Sequence, residues 1–367
     1  MVGTKLGFHI TNRCQLNCDH CIRDPERGAV EIEPALLGHI VRQVKDTVGV
    51  SSVGLTGGEP TLHAQFDLIA DELATAAVPW SFVSNGATMA RTLSLLQASP
   101  ERWRWFSGAK LSLDGADAAT HDSIRDRGNF DHVLQAAALL AACGKEVRFG
   151  VTLNRRNVDQ IEQFGLLAGQ MGVRSLSFSV THPTGTMLDH TLRLTPEQLR
   201  RAWERIRRLA GMMSFEVSTA PGFPVGSLAA PCSTWTLEYL SVDVHGRLNL
   251  CCVHTDTPSE VSPPPDIAAD LRYDSFAEAW PRLMSIISHT MSARVQDVAS
   301  GAVGADEWMH SSCNWCLAYH KRPYWTADGV AGPHARRERW RGAWEAGYKP
   351  SHADALSHLP ERPEPDA

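Results

Sequence analysis

With 43% hydrophobic and 21% charged side chains, the 367 residues describe an ordinary globular chain, long enough for one large domain plus a smaller one. A net charge of −6, from 35 basic against 41 acidic residues with no sustained basic field, argues against a nucleic-acid partner, and no apolar run approaches the roughly 18 residues a membrane span needs. Nine cysteines, an odd number, follow an N-terminus without a signal-peptide apolar core, which points to reduced thiols and metal sites in a reducing cytoplasm, not to disulfides.

Residues 6–10 read as a first, buried strand. A helix follows, with Leu36, Leu37, Ile40, Val41 and Val44 at 3.6 spacing. The alternation continues with strand 52–55 and helix 66–77, strand 80–83 and a helix near 90–98, then strand 109–113 and helix 132–143. Strand 146–153, helix 158–169 and strand 175–180 complete it. Six β/α units in series predict an α/β fold, a partial (β/α)6 barrel with a parallel sheet inside its helices. Thr195-Pro196-Glu197-Gln198 then opens a helix as a capping box with Pro at the first position. Leu199, Trp203, Ile206 and Ala210 are its expected buried stripe. Arg200, Arg201, Arg205, Arg207 and Arg208 line the other side, where a solvated face is the plain reading and an acidic leader peptide the sharper one. A further strand is expected at 215–218, and Ala220-Pro221-Gly222 marks a domain boundary. Beyond it, 239–244 and 247–250 read as two strands around the His245-Gly246 turn. Residues 335–348, rich in Arg and Trp, are expected to be helical, and the Pro-rich stretch from 350 onward disordered. The predicted division is therefore 1–220, 221–330 and a tail over 331–367.

Cys14, Cys18 and Cys21, spaced C-x3-C-x2-C, fall directly after the first strand. Three soft thiolates this close suit one face of an iron–sulfur cluster. They leave one iron open, as catalytic metal sites keep a position for substrate. The same residues also fit a zinc site completed by His20, Asp19 or His9, or an i, i+4, i+7 core stripe. Their position favours the cluster. Thr56-Gly57-Gly58-Glu59-Pro60, Ser84-Asn85-Gly86, Asp114-Gly115, Asn154 and Thr181-His182-Pro183-Thr184-Gly185 each follow a predicted strand as well. Unusual segments thus collect at the C-terminal strand ends, where (β/α) barrels build active sites.

Together these segments resemble the radical S-adenosylmethionine (radical SAM) superfamily. The cysteine loop is similar to its cluster-binding signature. Gly57-Gly58-Glu59-Pro60 is similar to the second-strand motif whose backbone meets the amino group of the cofactor, glycine allowing the close approach. Ser84-Asn85 resembles the third-strand segment at the ribose, although Asn-Gly is also an ordinary turn pair. Leu111-Ser112-Leu113-Asp114-Gly115, with His121-Asp122-Ser123-Ile124-Arg125, resembles the subgroup that carries extra clusters in a C-terminal SPASM or Twitch domain. There the positions matching Ser112 and Arg125 hold the cofactor carboxylate, a role that suits a planar guanidinium. The plain alternative for Arg125 is a surface ion pair. The resemblance implies a 4Fe–4S cluster on Cys14, Cys18 and Cys21, S-adenosyl-L-methionine as cofactor, and a 5′-deoxyadenosyl radical that abstracts hydrogen from a substrate. It also implies an external electron donor of the flavodoxin or ferredoxin type.

Cys232, Cys251, Cys313 and Cys316 form a second set. The hairpin would bring Cys232 and Cys251 to one end and the C-x2-C pair would close the site, four thiolates suiting a fully ligated cluster or a structural zinc. Thirteen residues separate Cys232 from Gly246, which fits the C-x(9–15)-G-x4-C opening of the SPASM/Twitch pattern. The segment from Asp270 to Phe276, leading into a helix with Trp280, is also similar to that domain. A full SPASM domain uses more cysteines, so the resemblance implies the shorter Twitch form with one auxiliary 4Fe–4S cluster. Cys252, on the opposite face if it lies on a strand, is an alternative ligand, a hydrogen-atom donor to a substrate radical, or a packed small hydrophobe. Cys143 reads as core, and His121 as a helix-start or packing residue.

For the substrate, a ribosomally synthesised peptide is the expectation. Dehydrogenation or epimerisation of an aminosugar, nucleoside or other small molecule in natural-product biosynthesis is the alternative, because fold does not fix function. The first strand starts by Leu6, so no leader-recognition domain is expected ahead of the barrel, and a separate leader-peptide-binding protein would supply that contact. A non-catalytic zinc-binding interaction protein is the competitor from another class; a redox-sensing cluster protein is a third.

Overall fold

The computed structural model describes residues 3–22, 30–182, 190–223, 229–255, 262–303 and 311–322. Strands β1 (Thr4–His9), β2 (Val50–Thr56), β3 (Trp80–Ser84), β4 (Phe106–Ser112), β5 (Glu146–Leu153), β6 (Ser175–Val180) and β7 (Glu216–Thr219) lie side by side in chain order, all parallel. The crossovers carry α1 (Pro34–Val48), α2 (Phe66–Thr75), α3 (Met89–Gln97), α4 (Pro100–Trp105), α5 (Ala118–Ile124), α6 (Asn129–Ala142), α7 (Ile161–Gln170) and α8 (Pro196–Met212). This is the α/β scaffold that the alternation predicts, with the strand at 215–218 joining the sheet as a seventh parallel member.

Strand side chains alternate between two faces, and here the faces differ sharply. Leu6, Phe8, Val53, Leu55, Ala109, Leu111, Phe149, Val151, Leu176 and Phe178 are buried in the core with the helical stripe Leu37, Ile40, Val41 and Val44. Each large side chain so buried contributes about 1.5–3 kcal/mol. Phe66, Trp80, Phe82 and Phe106 add an aromatic cluster with ring centroids 5.1–6.3 Å apart. On the other face Thr56, Lys110, Ser112, Thr152 and Ser179 line a cavity. Most parallel sheets are apolar on both faces. A small, polar inner face leaves room there for something other than protein.

Local differences from the sequence reading have identifiable causes. The helix α4 escaped it because it is a single short element capped by Ser99, whose Oγ accepts from the Arg102 amide at 3.4 Å, with Pro100 at its first turn. On α8 the buried stripe is Leu199, Ala202, Ile206 and Leu209, with Trp203 half-buried and Ala210 exposed. The Thr195 capping box forms in both directions, at 3.2 and 2.9 Å. Arg205 ion-pairs with Glu162, Arg201 with Glu197, and Arg207 lies 4.8 Å over Trp203, in keeping with a solvated face.

The chain beyond 220 returns to the same sheet. β8 (Tyr239–Val242) pairs parallel with β1; β9 (Arg247–Asn249) and β10 (Ile267–Asp270) then add antiparallel strands, so the order is β10-β9-β8-β1 through β7. The expected boundary at 220 is crossed by a continuous hydrogen-bonded ladder. Gly246, at φ +79°, makes the predicted turn, braced by Asp243, which accepts from the Arg247 and His245 amides. α9 (Phe276–Ser300) and α10 (Ser312–Tyr319) follow. The expected helix at 335–348, the disordered stretch from 350, and Pro183, Thr184 and Gly185 lie outside the described residues. No helix among the described residues is long and apolar enough to cross a membrane.

Candidate active site

The cysteine loop leaves the end of β1 and is held by the end of β2. The Gly58 amide donates to the Thr11 carbonyl and the Glu59 amide to the Arg13 carbonyl, both at 2.7 Å. A Cβ at Gly57 would stand 2.4 Å from the Thr11 carbonyl oxygen, and one at Gly58 would stand 2.2 Å from that of Arg13. The close approach these glycines permit is therefore to the cysteine loop itself. Gly58→Ala should push the loop away, with destabilisation of about 1–3 kcal/mol for an overpacked contact and lower iron incorporation, read by urea denaturation and metal analysis. Glu59 is buried, which pushes its carboxyl up. It accepts from the Asn85 amide at 2.8 Å and the Thr61 hydroxyl at 2.7 Å, tying β2 to β3. Its side chain is thus spent inside the protein.

Ser84 and Asn85 line the cavity and make the turn at once. Ser84 Oγ accepts from the Gly86 amide at 3.0 Å, Asn85 Oδ1 from the Ala87 amide and Gln15 Nε2 at 3.1 Å, and Gly86 sits at φ +85°.

Arg125, at the end of α5, has a side chain only 10% exposed and pairs with a fully buried carboxylate, so it does not form a surface ion pair. Its Nε donates to Asp114 Oδ2 at 2.6 Å, and its Nη1 lies 3.8 Å from Cys18 Sγ. Asp114 has no exposure. Burial would raise its carboxyl, but Arg125, His20 and the Thr152 amide at 2.7 Å outweigh that and hold it below the usual range. His121 Nδ1 accepts from the Asp114 amide at 3.1 Å, which assigns the ring proton to Nε2, 3.0 Å from Asn129 Oδ1; Asn129 in turn donates to the Asn85 carbonyl at 3.0 Å. A chain of bonds so runs from Cys18 to the end of β3, and His121 is the packing residue that the sequence predicts. The Cys18 thiol is pushed up to about 12 by burial, against the pull of Arg125.

Cys14, Cys18, Cys21 and Ser112 share one cavity of about 720 Å³ with Cys232, Cys251, Cys252, Cys313 and Cys316. Two cysteine sets far apart in sequence thus face a common space. Cys251 and Cys252 come after β9 ends, in a turn, so strand alternation does not apply and Cys252 lines the cavity beside Cys251. Cys143 is half-buried at the end of α6, 3.6 Å from Gln97 Nε2.

Sequence reading missed Arg294 on α9, whose side chain has no exposure. Its guanidinium lies 3.5 Å over Trp235, Nη2 donates to the Ala230 carbonyl at 3.0 Å, Nη1 sits 3.9 Å from Cys316 Sγ, and Nε has no partner. A buried cation needs a counter-charge, and the acidic groups acting on this one are the Cys316, Cys232 and Cys313 thiols. Burial pushes Cys316 up to about 12 and Cys313 higher still, so as free thiols they carry no charge. Metal-bound thiolates would supply it. The donor set therefore fits a thiolate-ligated group. Among the described residues no three His, Cys, Asp or Glu side chains converge on a point where one ion could bind. A cubane cluster asks for no such point, because each thiolate binds a different iron. Next to this set, Asp266 accepts from His254 Nδ1 at 2.7 Å and from Arg322 at 2.6 and 3.1 Å, fastening the turn after β9 to the end of α10. No sequence motif announces that triad.

Residues 8–168 match the radical SAM superfamily. Over those residues the chain carries a radical SAM domain, and it is a radical SAM enzyme. Radical SAM chemistry takes a 4Fe–4S cluster and S-adenosylmethionine. Mycofactocin maturase MftC of Mycolicibacterium smegmatis is 28% identical over 236 residues, 60% of this chain and 58% of that protein. The chain spans roughly half to three-fifths of the length of the mycofactocin maturases it matches. GTP 3′,8-cyclase 2 of Mycobacterium tuberculosis is 27% identical over 292 residues, 70% of this chain and 76% of that one. Among solved structures, Streptococcus suis SuiB bound to its precursor peptide SuiA has a TM-score of 0.62 at 15% identity, covering 76% of this chain and 64% of that chain. SuiB bound to S-adenosylmethionine scores 0.60 at 16% identity, over 76% of this chain and 68% of that one. At these identities the likeness is one of fold.

Proposed function

We propose that this radical SAM enzyme modifies a ribosomally synthesised peptide, with Cys14, Cys18 and Cys21 holding the cofactor-cleaving cluster. The cavity that joins both cysteine sets carries the reading: a substrate there lies between the site of radical formation and a second thiolate group. A reduced cluster with an open iron supplies reductive cleavage of S-adenosylmethionine. The chain's part is to orient and to exclude water. The backbone around Gly57, Gly58 and Glu59 with Ser84, Asn85 and Ser112 forms the rim for the cofactor, and Arg125, through the guanidinium nitrogens not bound to Asp114, meets its carboxylate. Cys232, Cys251, Cys313 and Cys316 hold an auxiliary 4Fe–4S cluster in a Twitch-like segment over 221–330, and Cys252 stays beside it as hydrogen donor. A flavodoxin- or ferredoxin-type donor supplies the electron in the cytoplasm, and a separate leader-peptide-binding protein presents the substrate.

A maturase among the relatives and a fold shared with a precursor-peptide complex support the peptide. The cyclase, which aligns with more of both chains, favours a second reading, a nucleotide or other small-molecule substrate. Anaerobically reconstituted enzyme should be given reductant, S-adenosylmethionine and, in parallel, GTP or a short peptide encoded beside its gene. A cofactor-dependent change in peptide mass is expected; turnover of the nucleotide with the peptide untouched would reverse the order of the two readings.

A further inference from the structure

The inner face of the sheet holds two cations that the proposed chemistry does not use. Lys110 on β4 and Arg148 on β5 are partners in the strand register. Lys110 crosses the gap left by Gly150, where an added Cβ would stand 2.5 Å from its Cε, and it lines the same cavity as the two cysteine sets. Arg148 Nε is buried without a hydrogen-bond partner. Among the described residues neither side chain has an ion-pair partner, and the ionisable groups acting on Lys110 are Arg148, which repels it, and the Cys252 thiol. Buried charges are paired or ligand-bound as a rule, because desolvation without compensation is costly. Two half-buried cations paired across neighbouring strands raise that cost further. A fold that keeps them has a use for positive charge at this depth.

We propose that Lys110, backed by Arg148, anchors a carboxylate of the substrate at the floor of the cavity, below Ser112 and beside Cys252. A carboxylate placed there orients the remainder of the substrate toward the rim, where Cys14, Cys18 and Cys21 lie. Lys serves such a site as a mobile point charge, and Arg148 adds its unpartnered Nε–H beneath it. The proposal rests on the peptide reading above, since a peptide offers carboxylates at its C-terminus and acidic side chains, whereas a nucleotide offers phosphate.

The test uses the reconstituted holoenzyme and three probe anions, succinate, inorganic phosphate and chloride at matched ionic strength, with thermal unfolding as readout. Succinate should raise the wild-type Tm beyond chloride, as a ligand bound only by the native state does. Lys110→Met should shift the half-effective succinate concentration upward by roughly tenfold or more, the loss of one charge-assisted hydrogen bond. Lys110→Arg should retain most of the effect. Without anion, Lys110→Met should be at least as stable as wild type, because an uncompensated charge has gone; a large fall in Tm would mean a structural partner and overturn the proposal. So would an undiminished succinate response in the variant, or a Lys110-dependent response to phosphate alone. A cofactor-dependent change in the mass of the peptide encoded beside the gene checks the parent reading separately. If the peptide stays untouched while succinate still acts through Lys110, the peptide reading is at fault; if the peptide is modified and succinate does nothing, the anion site is.

Discussion

Replacing Cys14, Cys18 and Cys21 together by alanine should reduce 5′-deoxyadenosine formation to background while the protein stays folded. Iron should drop from about eight to about four atoms per chain, one cubane cluster of two. The expectation that the fold survives comes from burial. Cys14 is exposed and Cys21 half-buried, so only Cys18, with 8% exposure, loses packed sulfur. The loop's backbone bonds to Gly58 and Glu59 involve no cysteine side chain. The reciprocal variant, Cys232, Cys251, Cys313 and Cys316 to alanine, should keep about four irons and S-adenosylmethionine cleavage but lose substrate turnover. It should also be the less stable protein, because Arg294 then sits buried with neither thiol nor thiolate beside it. Retained cofactor cleavage in the first variant would sink the assignment of the loop. Purified wild type that is colourless and holds stoichiometric zinc would favour the interaction-protein alternative over both clusters.

How much of this was legible without coordinates depends on which face of each element a residue occupies. Hydrophobic periodicity records the outer strand face and the helical stripes, so Leu6, Phe8, Phe149 and Phe178 announce themselves and the six parallel strands follow. It is silent about Lys110, Thr152 and Ser179, because a polar residue between two apolar ones usually faces water. Here those residues face a cavity. Gly57 and Gly58 were recognisable as a place of close backbone approach, but not that the approaching group is the carbonyl of Thr11 or Arg13. Cys252 was placed by strand alternation on the far side, and the strand simply ends too early for alternation to hold. The role of Arg294 was out of reach altogether: it sits in the middle of a long helix, and its partners come from Ala230, Trp235 and Cys316. Ala220-Pro221-Gly222 reads as chain punctuation, hence the expected domain boundary at 220. Local composition cannot report that β8 then returns to pair with β1.

Arg125→Leu should destabilise the protein by about 3–5 kcal/mol, since it leaves one half of a buried ion pair uncompensated. The wild-type carboxyl of Asp114 is held below its ordinary range by Arg125, against burial. Its contribution to stability is therefore fully present above the unfolded carboxyl's pKa of about 3.9. It is lost as the pH falls through the lower, folded value, where the unfolded state binds the extra proton. In the variant the balance reverses. Burial becomes the dominant influence, the Asp114 carboxyl rises above its ordinary value, and the folded state is the one that holds the proton. Stability should then fall as the pH rises through the window between the unfolded and the raised folded value. His20, 3.4 Å from Asp114, is the nearest remaining cation, but its burial disfavours the charged imidazole. Urea midpoints measured from about pH 3 to pH 8 should thus slope in opposite directions for the two proteins in the acidic half of that range. Adding Asp114→Asn to the variant should flatten the slope and recover part of the loss, because no buried charge is left. Parallel slopes in wild type and Arg125→Leu would show that Asp114 is compensated from elsewhere, and would free Arg125 from the structural role that now ties it to Cys18.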